Sequence, residues 1–133
     1  MALVLDASIC AAWALAEKLD PRAEKAEDQL KHDVGLAPRI LWYEIRNVLV
    51  TNERRGRLSA EESTVFLRVL SAYPIRIDPF DDESSIFALA RKHRLSFYDA
   101  AYLETARRNR APLATLDTAL ESAAFSEGIE LLV

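Results

Sequence analysis

The first eight residues place a carboxylate directly after a short apolar run, and this feature constrains the fold most. Residues 2–5 are all apolar, and Asp6 and Ser8 follow at once. Such a run predicts a strand that is buried on both faces of a parallel sheet. Residues 7–18 have helical spacing, so Asp6 is predicted to lie where a strand meets a helix. Ligands of open α/β sheets bind at the carboxyl ends of the strands, which makes Asp6 a candidate functional residue. An ordinary helix N-cap is the structural alternative.

The same pattern returns near the carboxyl terminus. Residues 113–116 form a second short strand candidate, which contains Thr115. Asp117 follows and begins a predicted helix that extends to about residue 125. The sequence therefore predicts two acids at the ends of two strands.

Strands alternate with helices along the rest of the chain. Further strands are predicted over residues 34–37, 75–78 and 129–133, and further helices over residues 21–31, 38–55, 59–73, 81–94 and 96–109. This order predicts an α/β fold, a three-layer sandwich with a central, mainly parallel sheet of about four to five strands. Residues 1–133 are predicted to form a single domain.

The composition is that of a globular protein in a reducing compartment. Of the 133 residues, 50% are hydrophobic and 29% are charged. No apolar run approaches the roughly 18 residues that a membrane span needs. The single cysteine, Cys10, excludes an internal disulfide. The net charge of −4 argues against non-specific coating of nucleic acid, although it permits a local basic patch. We therefore predict a cytoplasmic protein without membrane contact.

Two further acids lie on the apolar faces of predicted helices. Glu44 is four residues from both Ile40 and Val48, so it projects from the apolar stripe of its helix. Asp99 precedes Tyr102 at the spacing that places two side chains on one helix face. Carboxylates are rare at such positions unless they are paired. Either acid could instead be satisfied by an arginine or by a helix cap.

If the four acids converge, they predict a cation site. Two carboxylates near 4 Å repel by roughly 4 kcal/mol at an effective dielectric constant of ~20, so such a cluster either holds protons or requires cations. Oxygen ligands without a cysteine or histidine motif suit Mg²⁺ or Mn²⁺, which can polarise a phosphodiester and activate a bound water. Ser8 and Thr115 would hold a carboxylate or a water, or would serve only as caps and strand-end hydrogen bonds.

These residues resemble the successive motifs of PIN-domain nucleases, and their order, spacing and total length resemble the VapC toxins of toxin–antitoxin pairs. The motifs are Leu-Asp6-Ala-Ser8, Tyr-Glu44-Ile-Arg-Asn47, Phe-Tyr-Asp99-Ala-Ala-Tyr102 and Leu-Ala-Thr115-Leu-Asp117. The resemblance implies a metal-dependent endoribonuclease, usually a homodimer, that a small cognate antitoxin holds inactive. It also implies that the catalytic and metal-binding acids are Asp6, Glu44, Asp99 and Asp117, with Ser8 and Thr115 as the accompanying hydroxyls, Mg²⁺ or Mn²⁺ as cofactor and RNA as substrate.

Three other functions fit parts of the sequence. A response-regulator receiver domain would need a lysine after its last active-site strand, whereas no lysine follows Lys92. A haloacid-dehalogenase-like phosphatase would need a second aspartate where this chain has Ser8. A PIN fold without catalysis, serving only as a protein-binding module, is the third alternative.

Three arginine clusters have two possible roles. They are Arg54-Arg55-x-Arg57, Arg91-Lys92-His93-Arg94 and Arg107-Arg108-x-Arg110. Each could grip an RNA backbone around the acidic site. Each also lies near a predicted helix C-terminus, where cations complement the helix dipole, and we favour this second role.

Overall fold

The computed structural model describes residues 1–15 and 20–132 and is built around a four-stranded parallel sheet. The strands are β1 (Ala2–Leu5), β2 (Val34–Pro38), β3 (Ile75–Asp78) and β4 (Leu113–Ala114), in the spatial order β3-β2-β1-β4. The predicted parallel-sheet α/β fold is confirmed.

The predicted strand over residues 129–133 is not formed as a ladder. Leu131 makes only an isolated parallel bridge to Leu113, and residue 133 lies outside the described residues. β4 is two residues long, so it offers this segment little backbone to pair with.

Seven helices are present within residues 1–15 and 20–132. They are α1 (Ala7–Leu15), α2 (Pro21–Gln29), α3 (Ile40–Arg54), α4 (Ala60–Ser71), α5 (Glu83–His93), α6 (Phe97–Asn109) and α7 (Thr118–Ser126). Residues 16–18 of the first predicted helix lie outside the described part. In that part of the chain, no helix is both long and apolar enough to cross a bilayer.

Local signals fix most helix ends. Ser59 and Glu62 form a reciprocal capping box at the start of α4, and Ser96 caps α6. Gly56 follows α3 with a φ of 71°, the left-handed conformation that glycine adopts readily at helix ends. The predicted start of α3 at Pro38 is wrong, because Pro38 is the last residue of β2 and the helix begins at Ile40. Pairing between β1 and β2 ends at Leu36, so the missing N–H of Pro38 costs no hydrogen bond there.

Apolar side chains of the sheet face two separate cores. Along β1, Val4 packs into a core with residues of α3, α5, α6 and α7, whereas Leu3 and Leu5 pack into a second core with residues of α2. Successive side chains of a strand point to opposite faces, so this alternation places helices on both sides of the sheet. The predicted three layers are therefore present.

Helix α6 is buried over most of its length. Every residue from 100 to 106 is buried, including the charged Glu104. This burial fixes the position of its first turn, which carries Asp99.

Two of the three arginine clusters take part in ion pairs within the protein. Arg108 contacts the buried carboxylates of Glu104 and Asp78, at 2.7 and 2.9 Å. Arg107 and Lys92 both contact Glu127, at 3.2 and 2.7 Å. Hydrogen bonds from Lys92 and His93 lower the pKa of Glu127 to about 2. These contacts support the structural role for these two clusters.

Candidate functional site

Asp6 lies in the turn between β1 and α1 and is held by three donors. The Ser8 hydroxyl donates to Asp6 Oδ1 at 2.6 Å, the Ile9 N–H donates to the same oxygen at 3.2 Å, and the Thr115 hydroxyl donates to Oδ2. The residue is only 4% exposed. Burial raises the pKa of Asp6, against the effect of these hydrogen bonds, and the nearby charge of Asp99 raises it further. The bond from the Ile9 N–H is the N-cap interaction that the structural alternative predicts. The bond from Thr115, by contrast, joins Asp6 to the end of another strand.

The turn after β4 is joined to the turn after β1 by the two predicted hydroxyl residues. Ser8 Oγ accepts from the Leu116 N–H at 2.9 Å, and Thr115 Oγ1 accepts from the Asp117 N–H at 3.0 Å. Asp117 caps α7 by accepting from the Leu120 N–H at 3.0 Å. The hydroxyls thus fix the two strand-end acids relative to each other.

Glu44 extends from α3 toward the same region and is half-buried. Its carboxylate accepts a 2.6 Å hydrogen bond from the hydroxyl of the buried Tyr102 on α6. Burial raises the pKa of Glu44, the Tyr102 bond lowers it, and the charges of Asp99 and Asp6 raise it again. The sequence alone did not predict the hydrogen bond from Tyr102 to Glu44, although the position of Tyr102 three residues after Asp99 places these two side chains on one helix face.

Asp99 lies in the first turn of α6, where the Ser96 side chain accepts from its N–H at 3.0 Å. Burial and the charge of Asp117 raise its pKa, partly offset by a hydrogen bond with Ser96. The structure thus brings all four predicted acids within electrostatic reach of at least one other. The ion pairs identified among residues 1–15 and 20–132 use other acids.

The donor set fits a hard divalent cation. It consists of carboxylate oxygens with hydroxyls behind them. Burial, with a smaller contribution from neighbouring carboxylates, raises the pKa values of Asp6, Glu44 and Asp99, and a bound cation would offset both effects. Among the described residues, no three acidic, histidine or cysteine side chains already form a closed metal-binding group. Mg²⁺ does not require one, because it commonly binds through one or two carboxylates and retains several waters.

Comparisons with known proteins agree with the fold and with the resemblance. The family model for the PIN domain matches residues 3–126. The chain is 35% identical over 125 residues to the ribonuclease VapC3 of Pyrobaculum aerophilum, which covers 90% of this chain and 92% of that protein.

Solved structures extend the comparison. The crystal structure of PAE2754 from Pyrobaculum aerophilum superposes with a TM-score of 0.69 at 28% identity, over 92% of this chain and 87% of that chain. VapC20 of Mycobacterium tuberculosis, described as a toxin that cleaves the sarcin–ricin loop, matches with a TM-score of 0.66 at 18% identity, over 91% and 94% of the two chains. FitAcB of Neisseria gonorrhoeae matches with a TM-score of 0.67 at 20% identity, over 98% and 96%. The last two similarities concern the fold alone.

Proposed function

Because the chain belongs to the PIN-domain family and is related to a VapC ribonuclease, we propose that it is a metal-dependent endoribonuclease and the toxin of a toxin–antitoxin pair. One observation carries this proposal beyond family membership. Burial raises the pKa values of Asp6, Glu44 and Asp99 at the carboxyl end of the sheet, and the charge of a neighbouring acid raises each of them further. Binding of a cation beside a phosphodiester would explain why these acids are buried close together.

We assign metal binding and catalysis to Asp6, Glu44, Asp99 and Asp117, with Mg²⁺ or Mn²⁺ as the ion. PIN-domain ribonucleases generally use a divalent metal, which when bound polarises a phosphodiester and lowers the pKa of a bound water. The other residues that we propose to act at this site are those that orient the four acids.

Orientation is provided by hydrogen bonds from behind the carboxylates. Ser8 and Thr115 hold both oxygens of Asp6, so its carboxylate cannot rotate freely. Tyr102 holds one oxygen of Glu44 and leaves the other available. Partners of this kind fix the orientation of metal ligands and increase their basicity.

The direct test of the proposed function is cleavage of RNA by the purified protein with and without a divalent metal. We expect endonucleolytic cleavage that disappears in excess EDTA and returns when Mg²⁺ or Mn²⁺ is restored, because a bound metal lowers the pKa of its water ligand and neutralises charge on the phosphodiester. Cleavage that persists in EDTA, with protein free of contaminating nuclease, would contradict the metal mechanism. Binding of a protein partner without cleavage under any condition would instead favour the non-catalytic PIN-fold module.

Replacing Tyr102 with phenylalanine should weaken the affinity for the metal without removing a proposed metal ligand. The change deletes only the hydroxyl that donates to Glu44. Loss of such an outer partner typically costs about 10- to 100-fold in metal affinity or activity. The measurement is the Mn²⁺ concentration for half-maximal cleavage. Tyr73→Phe deletes a hydroxyl that donates to Glu27 at 3.0 Å, on a residue that packs against the second core, so it is the matched control and should change little. Equal behaviour of both variants and wild type would show that the Tyr102 bond does not position Glu44.

For the partner, we propose a small antitoxin that inserts an arginine or lysine among the four acids. Arginine forms bidentate pairs with carboxylates, and the acids have no such partner in the ion pairs described above. Affinity for the cognate antitoxin should therefore fall in the double variant Glu44→Gln, Asp99→Asn, as measured by titration calorimetry. Unchanged affinity would mean that inhibition uses another surface.

We further propose that the protein acts in the cytoplasm as a homodimer. Val65 and Val69 lie four residues apart on α4 and are both exposed on the single chain, and an exposed apolar helix face of this kind favours self-association. Sedimentation velocity at micromolar concentration should give the mass of two chains, and a persistent monomer would contradict this part of the proposal.

A further inference from the structure

A pocket of about 520 Å³ lies where the first turns of α3 and α6 approach each other. Its lining includes Pro38, Tyr43, Ile86, Phe97 and Tyr98. It is therefore large enough for a planar aromatic ligand, and its walls are mainly aromatic and aliphatic.

The tyrosine rings of this pocket are available to a ligand. Tyr43 is 67% exposed and Tyr98 is 54% exposed, so neither ring is used to fill the core. Phe97 contacts Phe87 edge to face, with ring centroids 5.0 Å apart, and this contact supports the wall beside Tyr98. Exposed rings of this kind have little role in folding, which makes a role in binding the stronger explanation.

The pocket adjoins the acidic site through two pairs of consecutive residues. Tyr43 precedes Glu44 in α3, and Tyr98 precedes Asp99 in α6. The hydrogen bond from Tyr102 to Glu44 also joins these two helices. Consecutive helical residues project about 100° apart, so the same two turns present acids on one face and tyrosines on the next.

We propose that this pocket binds one unstacked nucleobase of the substrate RNA, next to the phosphodiester at the acidic site. This inference rests on the proposed ribonuclease function and adds a determinant of substrate choice to it. Single-stranded RNA is recognised by stacking splayed bases on aromatic side chains, which Tyr43 and Tyr98 provide.

The charged residues of the pocket favour a base over a phosphate. Asp81 and Glu83 lie in the lining, and Arg39 of the same lining is paired with Asp81. The carboxylate of Glu83, which is not part of that ion pair, repels phosphate but can accept a hydrogen bond from an exocyclic amino group, as acids do from the amino group of cytosine. The pocket should therefore prefer a base with an amino group to uracil.

The test uses the full chain and short single-stranded RNA oligonucleotides of mixed sequence, from which the best-cleaved oligonucleotide is chosen. KM and kcat are measured for wild type, Tyr98→Ala, Tyr98→Phe and Phe125→Ala. Phe125 is an exposed aromatic residue of α7 that is outside the pocket lining, and so its variant is the matched control. In parallel, single nucleotides around the cleavage position are replaced by abasic ones.

We expect Tyr98→Ala to raise KM by roughly 5- to 150-fold with little change in kcat, since this is the range for loss of one base–aromatic stack. Phe125→Ala should stay near wild type, and Tyr98→Phe, which keeps a ring that can stack on a base, should have a lower KM than Tyr98→Ala. One abasic position should raise KM for wild type and have no further effect on Tyr98→Ala.

Three results would overturn the inference while leaving ribonuclease function intact. They are an unchanged KM in Tyr98→Ala, an abasic effect that is equal in both proteins, and a change in the sedimentation mass of Tyr98→Ala. The last result would mean that a second copy of the chain covers the pocket. Absence of RNA cleavage by wild type under all metal conditions would instead contradict the proposed function itself.

Discussion

Replacing Asp99 with asparagine is expected to abolish RNA cleavage while leaving the metal-free protein at least as stable as wild type. The amide keeps the shape of the side chain but removes a proposed metal ligand. A bound metal contributes several kcal/mol of charge stabilisation in the transition state, so the rate should fall by at least about 10²- to 10³-fold. Growth inhibition on expression without an antitoxin should disappear in the same variant.

The stability part of this expectation follows from the sign of the pKa shift. Burial and the charge of Asp117 raise the pKa of Asp99 in the folded state, so the ionised carboxylate destabilises the fold above that pKa. Asparagine removes this penalty. Thermal melting in EDTA at neutral pH should therefore show an equal or higher midpoint for Asp99→Asn than for wild type.

Bound metal should stabilise the wild type much more than it stabilises Asp99→Asn. At ~100 times its dissociation constant, Mn²⁺ stabilises the wild type by about 2.7 kcal/mol, which corresponds to a rise of about 10 °C in melting temperature for a chain of this length. Asp99→Asn should respond much less. If Asp99→Asn is far less stable than wild type in EDTA and neither protein responds to metal, then these acids hold the fold together and the catalytic assignment fails.

Replacing Arg108 with alanine is expected to cause a large loss of stability. The guanidinium joins Glu104, at 3% side-chain exposure, to Asp78, which is also buried. Although burial acts in the other direction, hydrogen bonds from the Phe80 N–H, Asn109 and Arg108 hold the pKa of Asp78 below its usual value. Removing Arg108 leaves two buried carboxylates without their cation, which typically costs about 3–5 kcal/mol.

The lower end of this range applies, because the Arg108 side chain is 30% exposed and water reaches the pair. Denaturant unfolding should therefore show a loss of about 3 kcal/mol, and the melting temperature should fall by about 10 °C. Arg107→Ala is the matched control. Its partner Glu127 retains Lys92 and His93, so the loss should stay below about 1 kcal/mol. Similar losses in the two variants would contradict the structural role assigned to Arg108.

Local sequence patterns predicted the structure correctly where it depends on interactions within one short segment. The apolar run of β1 ending in Asp6, the capping box at Ser59 and the cap at Ser96 all appear where the sequence predicts them. Each depends on residues within one turn or one strand, and short-range sterics and hydrogen bonds decide such features. Pro38 shows the limit of these rules. Proline is compatible with the start of a helix and with the end of a strand, and here Pro38 pairs with Asp78 of β3, so it belongs to the strand.

Contacts between distant segments were decided by the tertiary structure. The hydrogen bond from Tyr102 to Glu44 joins residues 58 positions apart, and the Thr115 bond to Asp6 joins residues 109 positions apart. No local spacing encodes these bonds, because they exist only after α3, α6 and the two strand ends have packed together.

The sequence by itself thus determined the fold class, the strand-end positions of Asp6 and Asp117, and the four acids as candidates. Only the tertiary structure decided which hydroxyls orient those acids, that Arg108 serves buried carboxylates, and that two tyrosines form a pocket beside the site. The physical reason is the distance along the chain over which each kind of interaction acts. Hydrophobic periodicity and capping act over a few residues, whereas burial, charge coupling and cavity shape depend on which segments the packed core brings into contact.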